Sequence, residues 1–226
     1  MNYEIWGDTM PAVTLTMAAG ENVYTQSGGM TWMTDGFRME TNMKGGLLSG
    51  LGRMFSGESL FMATYTATQN DAKITFASTM PGQIRAFRIL PGQPIIAQKG
   101  SFLVATSGVQ LKNAYTKFGS GLFGGEGFIL QEFSGDGLLF AEMDGCVREY
   151  TLAPGERLQC DTGHVAAFES SVGYSISRVR GLKNVLFGGE GMFLTTLTGP
   201  GKVWLQTMTV SELAGRIIPF IPKSSN

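Results

Sequence analysis

The sequence is poor in charged residues, histidine and cysteine, and each shortage narrows the functions open to it. Charged residues make up 15% of 226 residues, against about 25% in typical soluble domains. The net charge is −1, so no broad basic surface attracts a phosphate backbone, and we expect no nucleic-acid partner. The two cysteines, Cys146 and Cys160, are too few for a disulfide scaffold, and we expect both to be reduced.

Long apolar runs are missing as well. No stretch approaches the roughly 20 apolar residues of a membrane-spanning helix. The first residues, 1–8, contain neither a basic region nor an apolar run, so they do not have the pattern of a signal peptide. From these features we expect a soluble, cytoplasmic protein.

The chain has one histidine, His164, which limits the chemistry available to it. A zinc site of histidine and cysteine ligands lacks ligands. Asp161, His164 and Ser170 supply the residue types of a hydrolytic triad, but they lie on one predicted strand–turn–strand and no nucleophile elbow is present. Residues 119–124 match the G-x-G-x-x-G pattern, but a glycine-rich strand follows where dinucleotide binding needs a helix. We therefore predict no catalytic residue, metal or cofactor, and expect that the protein is not an enzyme.

Glycine is abundant, with 32 residues, about twice the usual share of ~7%. Many of these glycines belong to a motif, Phe-(Ser/Gly)-Gly-Glu-(Ser/Gly), that occurs at residues 55–59, 123–127 and 187–191. The starts are 68 and then 64 residues apart. A near-constant spacing indicates that one structural unit is used three times.

A second motif recurs together with the first. Pairs of glycines eight residues apart frame a short segment three times, at Gly20 and Gly28, Gly92 and Gly100, and Gly155 and Gly163. Each pair has the pattern of a turn followed by a strand. The order of the two motifs is kept throughout. We therefore predict three tandem β units, 1–78, 79–141 and 142–209, which share a core.

The remaining segments complete an all-β prediction with one helix. After each Phe-Gly-Gly-Glu motif, two short apolar runs flank a turn rich in Gly, Asn and Asp, a pattern typical of a β-hairpin. Residues 210–226 are predicted to form one short C-terminal helix and a tail. Thr209 and Glu212 have the spacing of a capping box, and Pro219 ends the helical pattern.

The three carboxylates of the first motif, Glu58, Glu126 and Glu190, are the candidate partner or ligand positions. Adjacent glycines allow a backbone with positive φ, and a carboxylate beside such a turn can accept nearby backbone N–H groups. One interpretation is a structural turn that satisfies its own amides. The other is a ring, pore or ligand site lined by the three carboxylates.

Several of these segments resemble an uncharacterised bacterial family related to the altered-inheritance-of-mitochondria protein twenty-four, a mitochondrial biogenesis factor. The resemblance rests on residues 186–191 and 197–207, on 152–158 and 161–168, and on the opening 39–61. It implies pseudo-threefold-related β units similar to short double-stranded β-helix subdomains, as in the tryptophan-sensing attenuator, and it fits closure into rings or trimers. It brings no established catalytic residues.

Two functions follow as expectations. The first is a non-catalytic structural or scaffolding protein that forms homo-oligomers, a trimer being favoured, and contacts a protein or membrane-surface partner. The alternative is a small-ligand binding module with a site between adjacent β units. Its cue would be polar and aromatic residues at a unit border, such as Trp32, Gln98 or Trp204.

Overall fold

The protein is built almost entirely from antiparallel β-sheets. The computed structural model describes residues 1–43, 61–118, 128–178 and 193–222. These residues form nineteen strands and one α-helix: β1 (Asn2–Trp6), β2 (Ala12–Met17), β3 (Asn22–Gln26), β4 (Trp32–Met33), β5 (Phe37–Met43), β6 (Phe61–Ala67), β7 (Ala72–Ala77), β8 (Gly82–Ile89), β9 (Ile95–Gln98), β10 (Phe102–Thr106), β11 (Val109–Phe118), β12 (Phe128–Gly135), β13 (Gly137–Asp144), β14 (Val147–Leu152), β15 (Arg157–Asp161), β16 (Val165–Glu169), β17 (Gly173–Arg178), β18 (Phe193–Thr198), β19 (Gly201–Gln206) and α1 (Val210–Ile217). Single 3-10 turns lie at Thr162–His164 and Ile218–Phe220.

The described strands form four sheets. Sheet 1 has the order β1-β2-β7-β4, sheet 2 the order β5-β6-β3-β10-β13-β8, sheet 3 the order β11-β12-β9-β16-β19-β14, and sheet 4 the order β15-β18-β17. Every described pair is antiparallel, as in β8 with β13 and β14 with β19. The prediction of an all-β fold with one short C-terminal helix is confirmed.

Apolar cores lie between successive sheets. Val13 and Ile74 of sheet 1 pack with Val23 of sheet 2 in the first core. Tyr24 of sheet 2 packs in a second core with residues of sheet 3, and Phe168 of sheet 3 packs in a third core with Leu197 of sheet 4. Sheets 2 and 3 are therefore covered on both faces.

Coverage of both faces explains the sequence of the central strands. In β10, the residues Phe102, Leu103, Val104 and Ala105 are all buried. Phe102 faces the second core while Leu103 faces the first. Continuous apolar runs are typical of strands buried on both sides, whereas a strand with one wet face alternates apolar and polar residues.

The hairpins predicted after each Phe-Gly-Gly-Glu motif are wrong. The strands that flank each turn, β6 and β7, β12 and β13, β18 and β19, belong to different sheets and do not pair. The turn residues Asp71, Gly135 and Gly201 all have positive φ, of 59°, 106° and 140°. The turns are therefore corners at which the chain passes from one sheet to the next. A corner needs residues with positive φ just as a hairpin turn does, so glycine is common in both.

The C-terminal helix begins as its sequence predicts. The Thr209 hydroxyl accepts a hydrogen bond from the Glu212 amide at 3.1 Å, and the Glu212 carboxylate accepts one from the Thr209 amide, also at 3.1 Å. This reciprocal arrangement is a capping box. The helix ends at Ile217, ahead of Pro219. None of its residues is buried.

Candidate functional site

The three candidate carboxylates, Glu58, Glu126 and Glu190, lie outside the described residues. The strands that precede and follow them along the chain are described: they fall between β5 and β6, β11 and β12, and β17 and β18. Each of these strand pairs is antiparallel and neighbouring. The choice between a structural turn and a ring of carboxylates therefore stays a prediction.

The structure does not gather Trp32, Gln98 and Trp204 at one site. Trp204 is 6% exposed, and its indole N–H donates to the Glu149 carboxylate at 2.9 Å. A hydrogen bond from Lys202, 2.9 Å from the same carboxyl group, lowers the pKa of Glu149. Gln98 accepts a hydrogen bond from Gln206. Both Gln98 and Trp204 therefore serve structural contacts in sheet 3.

His164 is held by two contacts, neither of which resembles a triad. Its Nδ1 lies 2.8 Å from the carbonyl oxygen of Gln206, and its Nε2 lies 3.5 Å from the Glu212 carboxylate. The Asp161 carboxylate instead accepts a hydrogen bond from the Gly163 amide at 3.1 Å. Among the described residues, then, the hydrogen bonds of His164 do not connect Asp161 and Ser170.

Cys146 and Cys160 are free thiols. Cys160 is half-buried, and burial, with a smaller effect from the Asp161 charge, raises its pKa to about 11. A thiol with so high a pKa carries almost no thiolate at neutral pH and is a poor nucleophile. Among the described residues no group of three or more His, Cys, Asp or Glu could hold a metal ion.

The more informative candidate site consists of the outer edges of β4 and β15. It is recognised by comparing these two strands with the strands that join the halves of sheets 2 and 3. Each of these sheets has two halves that meet at one strand pair, β3 with β10 and β9 with β16. Ala105 lies opposite Tyr24 in the first pair, and Phe168 lies opposite Ile96 in the second. Ala105 and Phe168 are the fifth residues after Gly100 and Gly163, and they face the fourth residues before Gly28 and Gly100. The joining register is therefore the same.

The strands that correspond to these in sequence, β4 and β15, have no such partner among the described strands. Strand β4 follows Gly28 as β10 follows Gly100, and β15 precedes Gly163 as β3 precedes Gly28. β4 is an outer strand of sheet 1 and β15 is an outer strand of sheet 4. Among the described strands, each is paired on one side only, whereas its counterparts are paired on both sides.

The solvent exposure of the side chains follows this difference in strand pairing. Ala105 and Phe168 are 0% and 1% exposed, whereas the corresponding residue of β4, Met33, is 39% exposed and its neighbour Trp32 is 51% exposed. Strand β15 alternates exposed and half-buried residues, although β3 and β9 contain runs of buried residues. Trp32 is in contact with Trp6, ring centroids 6.1 Å apart. Large apolar side chains thus border an open strand edge, a combination that favours association.

Sequence reasoning missed this site, although a signal was present. The strand after Gly28 carries Trp32 and Met33, where the strands after Gly100 and Gly163 carry mainly small and branched apolar residues. This difference distinguishes the segment after Gly28 from the segments after Gly100 and Gly163.

The comparisons with known proteins agree with the sequence resemblance. The family model for mitochondrial biogenesis AIM24 matches residues 3–208. An uncharacterised protein of Streptococcus pyogenes serotype M6 is 31% identical over 224 residues, which cover 96% of this chain and 89% of that protein. A crystal structure of another Streptococcus pyogenes protein, solved by a structural genomics consortium, has a TM-score of 0.77 at 27% identity and covers 97% of this chain and 99% of that one.

No helix among the described residues is long and apolar enough to cross a membrane. The match over nearly the whole chain, together with a relative of more than 30% identity, establishes the family. The chain belongs to the mitochondrial biogenesis AIM24 family.

Proposed function

We propose that the protein is a non-catalytic scaffold that assembles with copies of itself, β15 of one copy pairing with β4 of the next. The observation that carries this proposal is that both strands are exposed at an edge where their sequence counterparts are paired and buried. The contact is head-to-tail, so it uses two different surfaces of the same chain.

Sheets 1 and 4 support the proposal because they correspond to the two halves of sheets 2 and 3. Sheet 4, β15-β18-β17, matches the half β3-β6-β5 of sheet 2. Sheet 1, with β4, β7 and β2, matches the half β10-β13-β8. Pairing β15 with β4 of the next copy would join the two halves into one sheet.

The joining register predicts which residues face one another. With the register of β3–β10 and β9–β16, Met33 lies opposite Gln159, and Asp35 lies opposite Arg157. In the register of β9–β16, the places of Asp35 and Arg157 are taken by Ser170 and Pro94. These two residues are in contact, since the Ser170 amide donates to the Pro94 carbonyl oxygen at 3.2 Å. Asp35 and Arg157 are both exposed in the single chain, and opposite charges facing one another across strands are favourable.

The finer architecture belongs to the same proposal. Three β units, 1–78, 79–141 and 142–209, would each form a short double-stranded β-helix, related by a pseudo-threefold repeat. Each range contributes six strands in the same order, apart from β1, and β13 extends past the second limit to Asp144. A head-to-tail contact can close as a ring, and three copies would give nine units.

Light scattering tests the assembly directly. The chain has a mass of 24.3 kDa, so a trimer has three times that mass, about 73 kDa. We expect size-exclusion chromatography with multi-angle light scattering to give the trimer at micromolar concentration. A clean monomer under those conditions would contradict the proposal.

Cross-linking tests the interface. In a chain with Cys146→Ser and Cys160→Ser, the substitutions Met33→Cys and Gln159→Cys place thiols at facing positions, where Cα atoms about 4.5–5.5 Å apart suit a disulfide. Mild oxidation should produce linked dimers and trimers. The matched control carries Met33→Cys and Cys146→Ser and keeps Gln159 and Cys160. Its second thiol, Cys160, is therefore one residue away from position 159 and on the other face of the strand. Equal cross-linking in both chains would refute the register.

A further partner, a protein or a membrane surface, is part of the same proposed role. Glu58, Glu126 and Glu190 are the positions assigned to it. If Glu126→Gln leaves assembly, stability and partner binding unchanged, the three carboxylates act only within their turns.

A further inference from the structure

A cleft lined mostly by polar residues lies at the junction of sheets 2 and 3, and none of its lining residues belongs to β4 or β15. It has a volume of about 210 Å³. Its walls come from the turn between β9 and β10, the end of β13, the end of β19, the first residue of α1 and the segment before β8. Since one water occupies about 30 Å³, the space suits a small molecule.

Two walls of the cleft are fixed by hydrogen bonds. The Glu142 carboxylate accepts hydrogen bonds from the Ser78 hydroxyl at 2.9 Å and from the Thr79 amide at 2.8 Å. Gln206 is 5% exposed and uses its whole amide group: the oxygen accepts from the Asp144 amide at 3.1 Å, and the nitrogen donates to Gln98 and to the Gly163 carbonyl oxygen. These hydrogen bonds fix the side chains of Glu142 and Gln206 in the wall of the cleft.

Two other groups in the cleft lack such contacts. The Ser101 hydroxyl is buried without a hydrogen-bond partner among the described residues, and Ser101 is 7% exposed. The Asp144 carboxylate also accepts no hydrogen bond from the described residues. Its neighbour across the sheet is Gly82, which has no side chain to cover it. Buried polar groups in folded proteins normally have a partner, and a ligand can provide one.

We propose that this cleft binds a small organic amine as its ammonium ion, with the Asp144 carboxylate and the Ser101 hydroxyl accepting hydrogen bonds from its N–H groups. Ser101 lies beside β13, since its carbonyl oxygen accepts from the Glu142 amide at 2.8 Å, so the hydroxyl and the carboxylates of β13 border the same space.

The charge of the walls favours a cation. Glu142 and Asp144 are two carboxylates, and Lys99 is the one cation among the cleft's described lining residues. Burial, together with the Glu142 charge, raises the pKa of Asp144 to about 6, and a bound ammonium group would relieve that cost. A hard metal ion fits less well, because Ca²⁺ needs about six to eight oxygen ligands, and both Glu142 oxygens already accept hydrogen bonds.

Isothermal titration calorimetry with ethylammonium chloride in phosphate buffer tests the proposal. Tetramethylammonium chloride, which carries charge but no N–H group, is the comparison ligand. We expect saturable binding of ethylammonium at pH 7.5. Asp144→Asn should weaken it at least tenfold, Ser101→Ala several-fold, and the exposed carboxylate variant Glu4→Gln less than twofold.

The pH dependence is a second readout. At pH 5, about one Asp144 side chain in ten is ionised if its pKa is about 6, so the affinity should fall about tenfold. The charged groups that share the cleft are Glu142 and Lys99, and His164 with Glu212 lies behind Gln206. The Asp144→Asn chain should lose this dependence.

Equal affinity of the wild-type and Asp144→Asn chains would overturn the proposal. So would equal binding of tetramethylammonium, or no saturable binding. If Asp144→Asn does not fold, as judged by circular dichroism, the result for Ser101→Ala decides. The cleft contains no residue of β4 or β15, so this test and the cross-linking test can fail independently.

Discussion

The Tyr24 hydroxyl donates a hydrogen bond of 2.9 Å to the carbonyl oxygen of Val109. Tyr24 lies on β3 of sheet 2, and Val109 begins β11 of sheet 3, so this bond connects two sheets across their shared core. The ring of Tyr24 lies 5.4 Å from Phe102, which stacks with Phe133 at 5.9 Å. Burial raises the pKa of Tyr24 well above its usual range, so the hydroxyl remains a donor.

Tyr24→Phe should therefore destabilise the protein by about 1–2 kcal/mol, because it removes the donor from a buried carbonyl group while keeping the ring. Urea denaturation followed by circular dichroism measures the change. The control is Tyr3→Phe, since Tyr3 is 46% exposed, and its loss should be below about 0.5 kcal/mol. Equal losses in the two variants would show that the sheet-to-sheet bond contributes nothing specific.

Charge reversal tests the proposed interface between copies. Asp35→Arg places two arginines opposite one another in the predicted register, and Arg157→Glu places two carboxylates there. Each single variant should shift the assembly toward monomer, while the double variant, with the charges exchanged, should recover it. Both side chains are exposed in the single chain, so the monomer itself should keep its stability.

Analytical ultracentrifugation over a range of concentrations measures that shift. A cross-strand charge pair contributes roughly 0.2–1 kcal/mol, so each reversal should weaken each contact several-fold, and by more at low salt. Additive losses in the double variant, without recovery, would show that Asp35 and Arg157 do not face one another.

A matched pair of glycines tests the packing of the sheets. Gly82 lies opposite Asp144 in β8–β13, and an added Cβ there would overlap the backbone carbonyl oxygen of Met143. Gly82→Ala should cost roughly 2–4 kcal/mol, because backbone atoms cannot move aside without breaking the ladder. Gly215 in α1 has no atom within 4 Å of an added Cβ, so Gly215→Ala should be neutral or stabilise the helix by up to about 1 kcal/mol. Thermal unfolding distinguishes the two; similar melting temperatures would contradict the packing.

The parts of the fold that sequence predicted are those set by local chemistry. The glycines that frame β3, β9 and β15 recur because turns need them: Gly20, Gly92 and Gly155 have φ of 89°, 76° and 78°. Thr209 and Glu212 marked the start of α1 for the same reason, since a capping box lies within four residues.

The parts that sequence could not predict depend on distant segments. The turn at Ser134–Gly137 has the residues of a hairpin turn, yet it is a corner, because β12 pairs with β11 and β9, and β13 pairs with β10 and β8. The residues that face one another in β9–β12 and in β8–β13 are more than thirty positions apart along the chain. Likewise, the exposure of Trp32 depends on which strand lies beside β4, and among the described strands β7 is its partner on one side only.

Asp144 gives the protein a defined dependence of stability on pH. Burial and the Glu142 charge raise its pKa from the ordinary 3.8 to about 6. Between these values the folded chain binds more protons than the unfolded chain, so the contribution of Asp144 to stability is largest below about pH 4 and is lost as the pH rises through 6. A shift of about two units corresponds to about 3 kcal/mol, and solvent screening of this half-buried carboxyl group reduces it to about 1 kcal/mol.

Asp144→Asn removes the ionisable group, so it should be more stable than wild type by about 1 kcal/mol at pH 7.5 and equal to it near pH 4. Urea titrations of both chains at the two pH values, in phosphate and acetate buffers that contain no amine, measure the difference; a constant difference across the range would show that Asp144 has an ordinary pKa.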